Sequence, residues 1–154
     1  MSSSHKYVLT GAPGCGKSSV LLELENRGFE VIREAAQDVI QRYQAKGIEK
    51  PWEDVHFQDE VLKLQLFREG NIQKDKTYFI DRGTIDGLAY AREDHPSRWW
   101  IKNQCHQRRK EGRDNYDVIF FFNPLDEVET NGVRREGIEE AKVIDGFLRE
   151  EYRS

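Results

Sequence analysis

The sequence is poor in the residue patterns that mark several common classes of protein. It contains two cysteines and four scattered histidines in 154 residues. Two cysteines without a secretory signal favour a reducing compartment over a disulfide framework. The histidines have no zinc-binding spacing. Because Cys15 lies within the glycine-rich loop described below, we do not expect it to form a structural disulfide.

Long apolar runs and an excess of positive charge are also missing. No stretch approaches the ~20 residues that a membrane-spanning helix needs. The first six residues lack the apolar core of a signal peptide. We therefore expect no membrane span and a cytoplasmic location. The formal net charge of −4 argues against a general nucleic-acid-binding surface, so we expect no nucleic-acid partner.

One short segment carries the strongest chemical signal. Residues 11–18 read Gly-Ala-Pro-Gly-Cys-Gly-Lys-Ser, which is the G-x-x-x-x-G-K-S pattern of a phosphate-binding P-loop. Its glycines let successive N–H groups turn toward an anion, and the following helix N-terminus adds partial positive charge. We expect a nucleotide on this loop, bound by Gly11, Ala12, Pro13, Gly14, Cys15, Gly16, Lys17, Ser18 and Ser19.

Two residues of the loop have separate chemical roles. In a P-loop the lysine, here Lys17, reaches the β- and γ-phosphates, and the hydroxyl of Ser18 binds Mg²⁺. The expected cofactors are therefore Mg²⁺ and ATP, with GTP as an open alternative.

Short apolar runs alternate with helical periodicity through the chain. The pattern predicts strands at 7–10, 29–32, 77–80 and 118–122 with helices between them. One of these helices is predicted from Trp52 to about Glu69, and a last helix at 138–152. Such alternation predicts an α/β fold, a three-layer α-β-α sandwich around a parallel sheet with right-handed crossovers. We expect one domain over residues 1–154. The polar segment at about 125–136 is interpreted as a lid-like loop or short mobile helix.

Two carboxylates follow predicted strands. Glu34 comes after the second strand and Asp81 after the third. Parallel sheets bind ligands outside the carboxyl ends of their strands, so both side chains can converge on the P-loop. Asp81 is a candidate Mg²⁺ ligand or proton acceptor, and otherwise a strand-end residue that bonds the next turn. Glu34 is a candidate base, and otherwise a first-turn glutamate favoured by the helix dipole.

Other charged residues admit two readings each. Arg82 could clamp a phosphate or orient the substrate, or it could face solvent, and Asp86 could line an acceptor pocket or a helix surface. Arg134 and Arg135 follow the lid-like segment and could neutralise transition-state charge, or form a solvated basic pair. Asp117 precedes the fourth strand and is expected on the far side of the sheet, as a turn or capping residue.

Several segments together resemble a known family. They are GAPGCGKS, FEVIREAAQDVI, FQDEVLKLQ, YFIDRGTIDGLAY, YDVIFFFNP and RREGIEEAKVIDGFLREEY. The set is similar to the predicted P-loop ATPase/kinase family of the AAA-domain type, which itself resembles the ribosylnicotinamide kinase domain. The shared motifs fall on the P-loop, on Glu34-Ala35-Ala36, on Asp81-Arg82-Gly83 with Asp86, and on Arg135 with Glu139-Glu140-Ala141. The resemblance extends from Lys6 onward. The glutamate and Asp-Arg positions also resemble those of deoxynucleoside and thymidylate kinases.

The resemblance implies strand order 2-3-1-4-5 and a kinase that transfers the γ-phosphoryl of Mg-ATP to a nucleoside-like or other hydroxyl acceptor. The implied catalytic residues are Lys17, Glu34, Asp81, Arg82 and Arg135, with Arg134 on the nucleotide and Asp86 in the acceptor site. A regulatory nucleotide-binding switch with slow ATP or GTP hydrolysis is the alternative. The family continues into a fifth strand after the last helix. We expect that strand to be missing here, either because the chain is trimmed or because the sheet has four strands.

Overall fold

The computed structural model describes residues 4–12, 15–92, 94–110, 116–123 and 132–153, with only the backbone for Arg109 and residues 132–138. The strands are β1 (His5–Gly11), β2 (Glu30–Ile32), β3 (Thr77–Asp81) and β4 (Val118–Phe122). The helices are α1 (Lys17–Asn26), α2 (Ala35–Ala45), α3 (Phe57–Gly70), α4 (Asp86–Tyr90), α5 (Arg98–Lys110) and α6 (Gly132–Arg153), with a 3-10 turn at Pro51–Glu53.

The strands form one parallel sheet in the order β2-β3-β1-β4. This confirms the predicted α/β fold and the order of its first four strands. The β1–β2 crossover runs toward one edge of the sheet, whereas the β2–β3 and β3–β4 crossovers run the opposite way. Because such crossovers are right-handed, α1 lies on one face and α2 to α5 lie on the other.

The starts of two helices differ from the periodicity prediction by more than the one or two residues seen at strand ends. The apolar pattern predicted one helix beginning at Trp52, but the backbone forms the 3-10 turn first and α3 begins at Phe57. Pro51 favours the start of a short helical turn, and the carboxylate of Asp54 then accepts the N–H of His56 at 2.8 Å, outside any helix. Helix α6 begins at Gly132 rather than near 138, so residues 132–136 are helical. Residues 125–131 lie outside the described part of the chain.

The core lies on the face of the sheet that the α2–α5 layer covers. Val8 and Ile80 are paired in the register and fully buried, and Tyr78 lies beside them. A second cluster joins α3, α4 and α5 through Leu62, Leu88, Ile101 and others. At the β4 edge, burial is incomplete, since Phe120 is 46% exposed. The site-bearing strands β1 and β3 are therefore the most firmly packed.

Among the described helices, none combines the length and apolar character that crossing a membrane would require.

Replacing Ile80 by alanine should test this account of the core. The side chain is fully buried in β3, and Ile→Ala changes at such sites typically cost about 2–5 kcal/mol. Ile48→Ala is the matched control, because Ile48 is 42% exposed and surface changes usually stay within about 0.5 kcal/mol. The free energy of unfolding in urea measures both. Equal losses of unfolding free energy in the two variants would contradict the assignment of Ile80 to the core.

Candidate functional site

The predicted P-loop connects the end of β1 to the start of α1. Gly16 caps α1 with φ 87° and ψ 5°, a left-handed conformation that glycine adopts without steric cost. This turn leaves the first N–H groups of α1 free for an anion, as the motif requires. Six predicted loop residues line a neighbouring cavity: Ala12, Cys15, Gly16, Lys17, Ser18 and Ser19. Pro13 and Gly14 lie outside the described residues.

Lys17 and Asp81 form a buried ion pair. The ammonium of Lys17 donates to Oδ1 of Asp81, and their side chains are 6% and 10% exposed. Leu9 is opposite Asp81 in the β1–β3 register, so the sheet itself places the carboxylate beside the loop. A buried charge without a partner is strongly unfavourable. In the absence of phosphate, each of these groups therefore neutralises the other.

Oxygen donors for a magnesium ion lie on one side of this pair. Ser18 and Asp81, the two predicted Mg²⁺ ligands, both line a smaller cavity of about 190 Å³. Hydroxyl and carboxylate oxygens suit Mg²⁺, which usually keeps several waters and binds through one or two carboxylates plus phosphate. Within the described ranges, no group of three or more His, Cys, Asp or Glu side chains could enclose a metal. The donor set thus fits a nucleotide-bound Mg²⁺ better than a metal held by the protein alone.

A larger cavity of about 740 Å³ opens beside the loop. Its volume lies in the range that binds small organic ligands. The end nearest the loop carries Glu34, Arg82 and Asp86. The remaining walls are mainly apolar, aromatic or amide side chains and come from α2, α3, α4 and the 3-10 turn; they include Ile40, Trp52, Phe57, Gln58, Val61, Gln65 and Tyr90.

Arg82 lies at the centre of the charged end. Its Nε donates to Glu34 at 3.1 Å, and its Nη1 donates to the carbonyl of Gly11 at 3.1 Å and to Asp86 at 3.2 Å. Burial by itself lowers the pKa of this guanidinium, but Tyr90, Asp86, Glu34 and Asp81 outweigh that effect and raise its pKa above the usual range. Arg82 is therefore a permanent cation. Its side chain is 11% exposed, which removes the solvent-facing alternative.

The two other predicted acceptor-site residues have different environments. Glu34 directly precedes α2, yet its side chain makes no capping bond and is directed to Arg82 instead. It is 20% exposed and lines the cavity, which leaves a carboxylate oxygen free to meet a ligand. Asp86 also lines the cavity but is buried, so the helix-surface alternative does not hold. Its binding role remains a prediction.

Three further residues from the sequence analysis contribute no side chain to the site as the structure describes it. Asp117 is at the amino end of β4, where its carboxylate accepts the N–H of Lys6 in β1 at 2.7 Å, a contact between neighbouring strands rather than within a turn. Arg134 and Arg135 belong to the first turns of α6, and their side chains lie outside the described residues. Their proposed contact with nucleotide stays a prediction.

Sequence reasoning missed the cavity walls. On α3, Phe57, Gln58, Val61 and Gln65 all line the cavity, and the spacing i, i+1, i+4, i+8 places them on one helix face. That spacing was visible in the sequence. However, polar Gln58 and Gln65 broke the apolar pattern, and only the packing of α3 against the sheet shows which ligand-sized space they face.

A scan against protein-family models matches residues 6–154 to the AAA domain family. The chain belongs to this family. It is thus a P-loop nucleotide-binding protein, in agreement with the strand–loop–helix geometry of residues 5–26. P-loop enzymes in general hydrolyse nucleotides or transfer phosphoryl groups, typically with Mg²⁺. None of the curated proteins searched matches the chain.

Two tyrosines at the site predict how stability changes at high pH. Burial, followed by the negative charge of Asp86, raises the pKa of Tyr152 well above the usual value, and burial also raises the pKa of Tyr90. A raised tyrosine pKa contributes stability that is complete below pH ~10 and is lost as the pH rises further. Each group should then remove up to about 1.4 kcal/mol per pH unit.

Unfolding free energies from pH 8 to pH 11.5 measure this loss. Tyr152→Phe should have a shallower decline above pH ~10 than the unmodified chain, because the titration of Tyr152 is gone. Identical slopes would show that Tyr152 ionises as easily in the folded state as in the unfolded one.

Proposed function

We propose that this AAA domain is a small-molecule kinase that transfers the γ-phosphoryl of Mg-ATP to a hydroxyl group of a nucleoside-like acceptor. The observation that carries the proposal is the cavity of about 740 Å³ directly beside the P-loop. A hydrolytic switch needs room for one attacking water, which occupies about 30 Å³. The loop residues that line one part of this cavity would face the nucleotide phosphates, and the remaining part, with aromatic and amide walls, suits an organic acceptor.

The charged residues at the loop end of the cavity support transfer of the phosphoryl group to an acceptor hydroxyl. Glu34 lines both the larger cavity and the smaller one that Ser18 and Asp81 share, so an acceptor hydroxyl approaching the γ-phosphate would come close to its carboxylate. Its carboxylate can accept the hydroxyl proton, which is the general-base role in phosphoryl transfer. Arg82, held against Glu34 at 3.1 Å, supplies positive charge for the phosphoryl oxygens.

Nucleotide and metal would rearrange the buried ion pair. Ser18 and Asp81 would hold Mg²⁺, which supplies charge neutralisation at the β- and γ-phosphates when it is bound. Lys17 would then leave Asp81 for the phosphates, so both members of the pair keep a partner of opposite charge. Arg134 or Arg135, which follow the lid-like segment, would add positive charge near the nucleotide phosphates. We propose that all these residues belong to a single domain over residues 1–154.

Glu34→Gln should separate transfer from nucleotide binding. The amide keeps the shape but cannot take a proton, so acceptor-dependent turnover should fall by about 100-fold or more, while the Kd for nucleotide stays within about twofold. Glu23→Gln is the matched control, because Glu23 is exposed on α1, where its side chain pairs with Arg27. Product formation is followed with ATP and a panel of nucleosides and ribosylnicotinamide.

Two outcomes would contradict the kinase assignment. One is hydrolysis of ATP or GTP at a rate that no member of the panel increases, which would favour the regulatory switch. The other is full transfer activity in Glu34→Gln.

Thermal and chemical unfolding with nucleotide should locate binding at the loop. Ligand at 100 times its Kd adds about 2.7 kcal/mol, and Mg²⁺ should increase the effect for ATP. Lys17→Ala should lose this ligand-induced increment. Because Lys17 also neutralises Asp81, the comparison uses the increment in each variant rather than its absolute stability. An increment retained in Lys17→Ala would place the nucleotide elsewhere.

A further inference from the structure

Arg82 has a backbone conformation that an arginine rarely adopts. Its φ is 73°, in the left-handed region that is sterically unfavourable for a residue with a Cβ. Such a conformation persists only where the surroundings enforce it. Here its N–H donates to the carbonyl of Leu9 at 2.9 Å, and its own carbonyl accepts the amide of Gln65 at 2.7 Å. The backbone is thereby locked from two sides.

The guanidinium of Arg82 is locked through Asp86. Both carboxylate oxygens of Asp86 are occupied by two donors each. Oδ2 accepts the hydroxyl of Thr10 at 2.5 Å and Nη1 of Arg82 at 3.2 Å. Oδ1 accepts the N–H of Gly83 at 3.0 Å and the hydroxyl of Tyr152. Asp86 therefore has little capacity left for a ligand, and its geometry points to a role in holding Arg82.

Tyr152 is the distant member of this network. It lies in the last turn of α6, 66 residues beyond Asp86 in sequence. Its hydroxyl reaches Asp86 by passing over Gly83, where a Cβ would come within 2.5 Å of that oxygen. Its ring packs against the core cluster of α3, α4 and α5 and meets Phe121 edge-on at 6.3 Å. The position of the hydroxyl is thus determined by packing.

The last turn of α6 is itself held in place by charge. Glu151 accepts hydrogen bonds from Arg92 at 2.9 Å and from Arg98 at 2.7 Å, and its side chain is 7% exposed. These contacts tie the end of α6 to the segment after α4 and to the start of α5. Tyr152 is therefore presented to Asp86 by a rigid helix end.

We propose that Tyr152 is a positioning residue for phosphoryl transfer, acting on Arg82 through Asp86. This rests on the proposed function for its catalytic consequence, although the structural coupling does not. Without the hydroxyl, Oδ1 of Asp86 keeps only the N–H of Gly83. The carboxylate is then less neutralised and attracts Arg82 more strongly, which loosens the bond from Nε of Arg82 to Glu34.

The coupling can be measured without any acceptor. In ¹⁵N-labelled protein, the Nε–Hε resonance of Arg82 reports its bond to Glu34, and its loss in Arg82→Lys identifies the signal. Tyr152→Phe should shift this resonance and speed its exchange with water. Tyr116→Phe is the matched control: it also removes a partly buried tyrosine hydroxyl near Gly83, one that is hydrogen-bonded to Glu69 and Thr84.

A double-mutant cycle tests whether the effect passes through Asp86. Asp86→Asn should itself shift the Arg82 resonance, and adding Tyr152→Phe in that background should produce no further shift. The proposal is overturned if Tyr152→Phe leaves the resonance unchanged, if Tyr116→Phe shifts it equally, or if the two changes at Tyr152 and Asp86 are simply additive.

Steady-state kinetics test whether this coupling affects catalysis. Tyr152→Phe should lower the kcat of acceptor-dependent transfer about threefold to tenfold, the change expected from one lost hydrogen bond, with the KM for ATP unchanged because the P-loop is untouched. A purely structural role would lower the active fraction and the thermal stability without altering the resonance. If the unmodified protein phosphorylates no acceptor, the proposed function fails, while the resonance still decides the coupling.

Discussion

Parallel pairing of β1 with β3 is the constraint on which the site depends. It sets Leu9 opposite Asp81, so the strand that leads into the P-loop and the strand that delivers Asp81 and Arg82 end at the same edge of the sheet. The N–H of Arg82 continues the ladder by donating to the carbonyl of Leu9 at 2.9 Å. A slip of one residue would turn Asp81 to the opposite face and separate it from Lys17.

That edge concentrates charge in a poorly hydrated space. Lys17 and Arg82 face Asp81, Glu34 and Asp86, and each has a partner of opposite sign. Buried charges are tolerated only when paired and hydrogen-bonded. Binding of a magnesium nucleotide would therefore exchange partners rather than create new unpaired charges. This exchange connects the packing of the charged side chains to the proposed chemistry.

The cavity beside the P-loop depends on contacts between distant segments. Helix α3 contributes a cavity wall, α4 contributes Asp86, and the end of α6 contributes Tyr152. Gly83 is required between them because a side chain there would displace the tyrosine hydroxyl. The strained backbone of Arg82 persists because these elements hold it from several directions. The backbone conformation of Arg82 thus depends on how α3, α4 and the end of α6 pack together.

The sequence alone determined the P-loop, the alternation of strands and helices, and the carboxylates at strand ends, because these depend on local spacing and on the rule that parallel strands share a carboxyl edge. It could not predict that Lys17 pairs with Asp81, that Asp86 is saturated by Thr10 and Tyr152, or that the face of α3 lines a cavity. Those features join residues 64 to 76 positions apart or lie between layers, so only tertiary packing decides them.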